Sequence, residues 1–186
     1  GKAVFRINPV KPDEIHEYFF PGDPVIFSAS FDNKGNLLLG TQENLLICGL
    51  EKDSVSVTTV VEGFDYANIT SIHPVGDSSR FVVGTYGNGL FQLNLSGKGN
   101  VLTRFKNHPE WESLSIQSIS QDSENFLWVS TFGSGIIQMN FLDNNGTVNL
   151  IRTYSIHSGL ITDDVKTVFQ DVEGNYWIGF GGEGIS

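Results

Sequence analysis

Residues 171–186 read DVEGNYWIGFGGEGIS. A polar turn containing Asp171 and Gly174 leads into the apolar run 176–179, and a glycine-rich turn then opens another apolar run. An Asp side chain can accept a backbone N–H two residues on, and glycine supplies the positive φ of a tight hairpin. The stretch therefore predicts strand, turn, strand. The same phrase stands three more times upstream, as FDNKGNLLLGTQENLL (31–46), PVGDSSRFVVGTYGNGLF (74–91) and SQDSENFLWVSTFGSGII (120–137).

The small residue that ends the first apolar run anchors the alignment: Gly40, Gly84, Ser130 and Gly179, at spacings of 44, 46 and 49. A period of this length built from short strands is the signature of a β-propeller with one four-stranded blade per repeat. Two-residue alternation places strands at 25–31, 36–40, 44–48 and 55–61 in the first repeat. It places them at 69–74, 80–85, 89–95 and 101–105 in the second, and at 116–121, 126–131, 135–141 and 148–155 in the third. The opening GKAVFRINP aligns with GNGLFQLNL, Val4 opposite Leu90, so the chain is expected to begin on a third strand.

The predicted fold is thus all-β: one propeller domain, 1–186, of four-stranded antiparallel blades with about four repeats. Blades are expected at 22–62, 66–107 and 114–156, with a split or partial blade from 162–186 plus 1–20. The end strands either complete one another, closing a four-bladed ring, or belong to a larger ring. The unfinished hairpin at 185–186 favours the larger ring.

Several repeat positions have structural readings. Asp32 with Gly35, Asp122 with Asn125, and Asp171 with Gly174 shape the first turn, whereas the second repeat has Gly76 and Ser79 in those slots. Trp128 and Trp177 share one slot with Leu38 and Val82, where a large ring would wedge against the adjacent blade. The GxG of the second turn serves a tight connection. No helix follows it, so the anion site of a nucleotide loop is absent.

Composition narrows the function. A formal net charge of −10 argues against nucleic-acid binding, which needs clustered Lys and Arg. The one cysteine, Cys48 in NLLICGL, excludes an internal disulfide and reads as a small buried hydrophobe. His16, His73, His108 and His157 lack metal-ligand spacing, and no calcium loop or nucleophile elbow is present. No catalytic residue, metal or cofactor is expected, and no apolar run reaches the ~20 residues of a membrane span.

A ligand site is expected on the propeller face where the second turns meet the blade-to-blade connections. The turns would bring Tyr86, Phe132 and Phe180 there. The connections would bring Asp65, Tyr66, Asn68, His108, Trp111, Glu112, His157 and Asp163. Aromatic rings beside amides and carboxylates suit a sugar, with flat apolar faces for C–H groups and acceptors for hydroxyls. Trp111 in KNHPEWESLS is the most suggestive, because it departs from the repeat positions; the competing reading makes it a plug between blades. The turn aromatics likewise read either as ligand contacts or as covers of a blade edge.

DDVKTVFQDVEGNYWIGFGGEGI (163–185), with its lead-in from 157, resembles the two-component regulator propeller repeat. SLSIQSISQDSENFLWVSTFGSGI (113–136) is similar to it as well. The second repeat departs at its first turn and lacks the Trp; the first has TQENLL (41–46) where the family has T-x-G-x-G-L. The resemblance implies seven-bladed propellers, often two in tandem, followed by an immunoglobulin-like domain, a membrane helix and a kinase. It implies a periplasmic, non-catalytic sensor module of a hybrid two-component system that binds an oligosaccharide and passes the signal to the downstream kinase. The implied partners are that oligosaccharide, the remaining domains of the parent sensor and a homodimer mate. A protein-interaction scaffold or a propeller-type lyase or hydrolase subunit is the alternative.

Overall fold

The computed structural model describes all residues except 1, 2, 8, 12, 21, 52, 53, 65, 97, 98, 106, 142–146, 183 and 186. Its strands form antiparallel sheets of the propeller type. The first full blade is β3 (Ile26–Phe31), β4 (Leu37–Thr41), β5 (Leu45–Leu50) and β6 (Val55–Val61), in that spatial order. The second is β7 (Ile69–Val75), β8 (Arg80–Thr85), β9 (Leu90–Ser96) and β10 (Gly99–Arg104). The third is β11 (Ser115–Gln121), β12 (Leu127–Phe132), β13 (Ile136–Phe141) and β14 (Val148–Tyr154). A three-stranded sheet follows, β15 (Val165–Gln170), β16 (Tyr176–Phe180) and β17 (Gly184–Ile185).

At the start of the chain, β1 (Ala3–Ile7) pairs with β2 (Ile15–Phe19). Among the described residues β1 pairs only with β2 and β17 only with β16, so the sheets at the two ends remain separate. The split-blade arrangement of 162–186 with 1–20, one of the two alternatives, is not seen among the described residues. Tyr18 and Phe20 bury against Leu37, Leu39 and Cys48 of the first full blade, with Val4 beside them.

The core lies between blades. β4 is buried along its length and β12 nearly so, being covered by blades on both faces, and both accordingly read as near-continuous apolar runs. The innermost strand β3 alternates half-buried and exposed. Leu38, Leu45 and Phe64 of the first blade pack on Ile69, Ile72, Phe81 and Phe91 of the second. Val82 and Leu90 then meet Ile116, Ile119 and Met139 of the third.

The anchor of the repeat sits where two blades come closest. A Cβ on Gly40 would lie 2.6 Å from the Ile69 carbonyl oxygen, and one on Gly84 would press into the Ile116 side chain. Hydroxyls stitch the same seam: Ser28 Oγ donates to Ile69 O (2.8 Å), Thr70 Oγ1 to Ile116 O (2.7 Å) and Ser120 Oγ to Val168 O (2.5 Å). Each blade's innermost strand also carries a register shift at one place, at Ile26/Ser28, Ile69/Ser71, Ile116/Ser118 and Val165/Thr167.

Asp122 does more than cap its turn. Its Oδ1 accepts the Glu124 and Phe126 N–H groups at 3.0 and 2.9 Å, as the turn chemistry predicts. Its Oδ2 accepts the Trp128 indole N–H and, from the next blade, the Tyr176 hydroxyl, both at 2.8 Å. Burial pushes this carboxyl up, but the hydrogen bonds from Trp128, Tyr176 and the two backbone N–H groups together outweigh it and hold it below the ordinary carboxylate range. A folded-state value below the unfolded one means stability that is present above the unfolded value, near 3.8, and lost as pH falls through the folded value. Asp122→Asn is therefore expected to lower stability at pH 7 by about 1.5–3 kcal/mol. It should also flatten the acid limb of the urea midpoint plotted against pH. A variant whose acid limb matches the wild type would show that Asp122 does not carry this linkage.

Candidate functional site

In the second and third blades the second turn is built alike. Thr85 Oγ1 and Thr131 Oγ1 donate to Gly89 O and Gly135 O, each at 2.8 Å, and all four hydroxyl and carbonyl groups turn inward. The turns are then tied to the connections that lead onward. Tyr86 N–H donates to Asn68 O and Gly89 N–H to Leu114 O, both at 2.9 Å. Gly133 and Gly135 N–H both reach Asp163 O at 3.0 Å. Second turns and connections thus share one face, as expected.

On that face the Tyr86 and Phe132 rings, from adjacent blades, meet at 6.3 Å with an interplanar angle of 48°. Both are about half exposed. The Lys166 ammonium stands 5.8 Å from the Phe132 centroid and 3.7 Å from Asp164 Oδ1. Lys166 was not expected here. It occupies the register shift of β15, where a bulge re-aims a side chain. A shift recurring at the same point of every innermost strand is invisible in two-residue alternation.

The other expected contacts divide. Trp111 is only 3% exposed, inserted edge-on against Phe105 at 5.5 Å within the core of the second and third blades. His108 stacks flat on it at 3.9 Å and bonds Glu110. Trp111 is thus a plug between blades and offers no face to a ligand, correcting the expectation for it. Phe180 is buried too, against Val165, Val168 and Trp128, and is likewise withdrawn as a ligand contact.

His157 is exposed on a short 3-10 turn, Ile156–Ser158. Asp163 is half-buried and spends Oδ1 on the Ile156 N–H at 2.8 Å, so it fixes the connection. Tyr66 is 84% exposed, and Asp65 lies outside the described residues. Among the described residues no three His, Cys, Asp or Glu side chains group as a metal site.

Residues 111–133 match the family model described as two component regulator propeller. The chain carries a repeat of that family. The match spans the third repeat from Trp111 through the second turn, where the regulator propeller resemblance is strong in the sequence. None of the curated proteins matches the chain.

Among solved structures, the chain is similar to the extracellular domain of a hybrid two component system from B. thetaiotaomicron. The TM-score is 0.70 at 19% identity, covering 87% of this chain and 20% of that one. It is similar over its whole length to PorZ, a surface component of the type-IX secretion system of Porphyromonas gingivalis (TM-score 0.73, 15% identity, 29% of that chain). The periplasmic gluconolactonase of Pseudomonas aeruginosa is a further neighbour (TM-score 0.65, 12% identity, 95% of this chain and 56% of that one). At these identities the likeness establishes the β-propeller fold. The chain spans less than a third of the length of the first two.

Proposed function

We propose that the chain is the ligand-reading part of a periplasmic or extracellular sensor of the two-component type. Its ligand is an oligosaccharide, bound without chemical change on the face that carries the second turns, and the signal passes to a kinase in the parent protein. One observation carries this: Tyr86 and Phe132, contributed by successive repeats, stand side by side and half exposed where turns and connections converge. Paired rings give the C–H faces of consecutive sugar units an apolar platform, and neighbouring polar groups supply orientation. The regulator propeller repeat at 111–133 and the likeness to a two-component extracellular domain support the sensor reading.

A thermal-melt panel of soluble oligosaccharides tests it. A ligand at about 100 times its Kd adds about 2.7 kcal/mol, a rise of roughly 5–10 °C for a domain of this size. Phe132→Ala and Tyr86→Ala are expected to abolish the rise while leaving the unliganded melt close to wild type. The recovered saccharide should run unchanged on chromatography. Conversion to product would instead favour an enzyme, as in the lactonase neighbour, and a flat panel on a cooperatively melting protein would favour a protein-interaction scaffold.

A further inference from the structure

The first repeat departs from the others at its second turn, and a cavity stands where it departs. β4 and β5 close on each other with Gly40 opposite Leu45, whereas the second and third blades pair Gly84 with Leu90 and Ser130 with Ile136. The first turn of this kind is therefore one residue shorter. It closes with Thr41 N–H on Asn44 O at 3.1 Å and has no second glycine. In the other blades that glycine donates to the onward connection and draws it down onto the turn. Here the gap stays open, as a cavity of about 310 Å³ lined by Glu43, Asn44, Glu62, Gly63, Phe64 and Tyr66.

The floor of this cavity is fixed. Phe64 is fully buried and meets Phe91 edge-on at 5.1 Å, and its carbonyl accepts the Asn88 side-chain N–H at 3.0 Å and the Ala67 N–H at 3.1 Å. The walls are chemically one-sided: two carboxylates, an amide and a phenol ring, with no Lys or Arg among the lining residues. Tyr66 holds φ at +58° and leaves its ring 84% exposed. An exposed aromatic in a left-handed backbone, beside acceptors and over a rigid floor, is not something packing requires.

We propose that this cavity is a sugar-binding subsite selective by charge: it takes a unit that is neutral or carries a protonated amine, and rejects carboxylated or sulfated units. This rests on the reading of the face as an oligosaccharide site. The Tyr66 ring stacks on the sugar and Glu43 and Glu62 accept from its hydroxyl or ammonium donors, while an anionic substituent meets two like charges. An ammonium gains most, since it offsets the carboxylates that binding removes from water.

The test is calorimetric titration with three oligosaccharides of one length: a glucosamine oligomer, a neutral glucan and a galacturonic acid oligomer. Affinity is expected to fall in that order, with the uronic oligomer bound least. Tyr66→Asn, which tolerates the left-handed backbone, should weaken the glucosamine oligomer about tenfold. The double variant Glu43→Gln/Glu62→Gln should weaken it by about tenfold or more and remove its advantage over the neutral glucan. These residues are exposed, so the melting temperature should not move. If a saccharide binds, is lost in Phe132→Ala and is indifferent to all three cavity substitutions, the subsite is wrong and the wider reading stands. If the uronic oligomer binds tightest, the charge selection is wrong. No binding by any of the three oligomers overturns the subsite; the wider reading falls only with a flat melt panel.

Discussion

Trp128→Ala is expected to cost about 3–5 kcal/mol, and Trp177→Ala less than half as much, although the two occupy the same slot of the repeat. Trp128 is 6% exposed. It lies between its own blade's Tyr154, at 5.5 Å, and Tyr176 of the next sheet, at 4.5 Å, and packs with Val165 and Val168 across the seam. Truncation there opens a cavity between blades and strands the Asp122 carboxylate without its indole donor. Trp177 keeps the analogous bond, its indole N–H donating to Asp171 Oδ2 at 2.7 Å, but is 43% exposed. Urea unfolding of the two variants measures the difference. Equal costs would mean that the tryptophan acts through its own hairpin, by way of the Asp, and that the blade-to-blade contact adds nothing.

That comparison also shows why part of the fold is legible in one sequence. Strand positions follow from alternation and turn residues, and most of the observed ends fall within about two residues of the expected ones. The anchor is legible because smallness recurs at Gly40, Gly84, Ser130 and Gly179, and at Gly40 and Gly84 the reason is close approach of the next blade. The Asp and Trp recur for a reason that spacing hides: they are bonded to each other six residues apart in the third blade and in the final sheet.

The second repeat's first turn departs as its residues suggest. Residues 76–79 lie between paired Val75 and Arg80, one fewer than the 32–36 between Phe31 and Leu37. Asp77 there serves Ser79 in place of the missing Asp.

The candidate site was less legible, because an aromatic in a connection carries no mark of which way it points. Trp111 and Tyr66 both stand in connections among polar residues, yet one is core and the other faces solvent. The connection before β7 carries two rings with opposite fates: Phe64, five residues before Ile69 as Trp111 is five before Ile116, is fully buried, whereas Tyr66 two residues on faces solvent. Position relative to the innermost strand, and not residue type, separates the core ring from the exposed one.

Gly135→Ala tests how the second turn seats against the chain that leads onward, and should be far more damaging than Gly133→Ala two residues earlier. Both glycines have positive φ, +73° and +81°, and both donate to Asp163 O. A side chain at either incurs the left-handed penalty of about 1–2 kcal/mol. At Gly133 a Cβ would meet nothing within 4 Å, so that penalty is the whole expected cost. At Gly135 it would strike the Tyr154 carbonyl group, which is backbone and has no rotamer to yield. Relief requires lifting the turn off the connection, breaking the bond to Asp163 and tilting Phe132 away from Tyr86. The expected loss is about 3 kcal/mol or more, read as a fall in melting temperature, with a further loss of whatever saccharide affinity Phe132 supports. Gly89→Ala, whose Cβ would meet the Trp111 carbonyl, should behave like Gly135→Ala. Equal melting temperatures for Gly133→Ala and Gly135→Ala would show that the connection does not rest on the turn. The height of the aromatic face would then have to be set by something other than the second glycine.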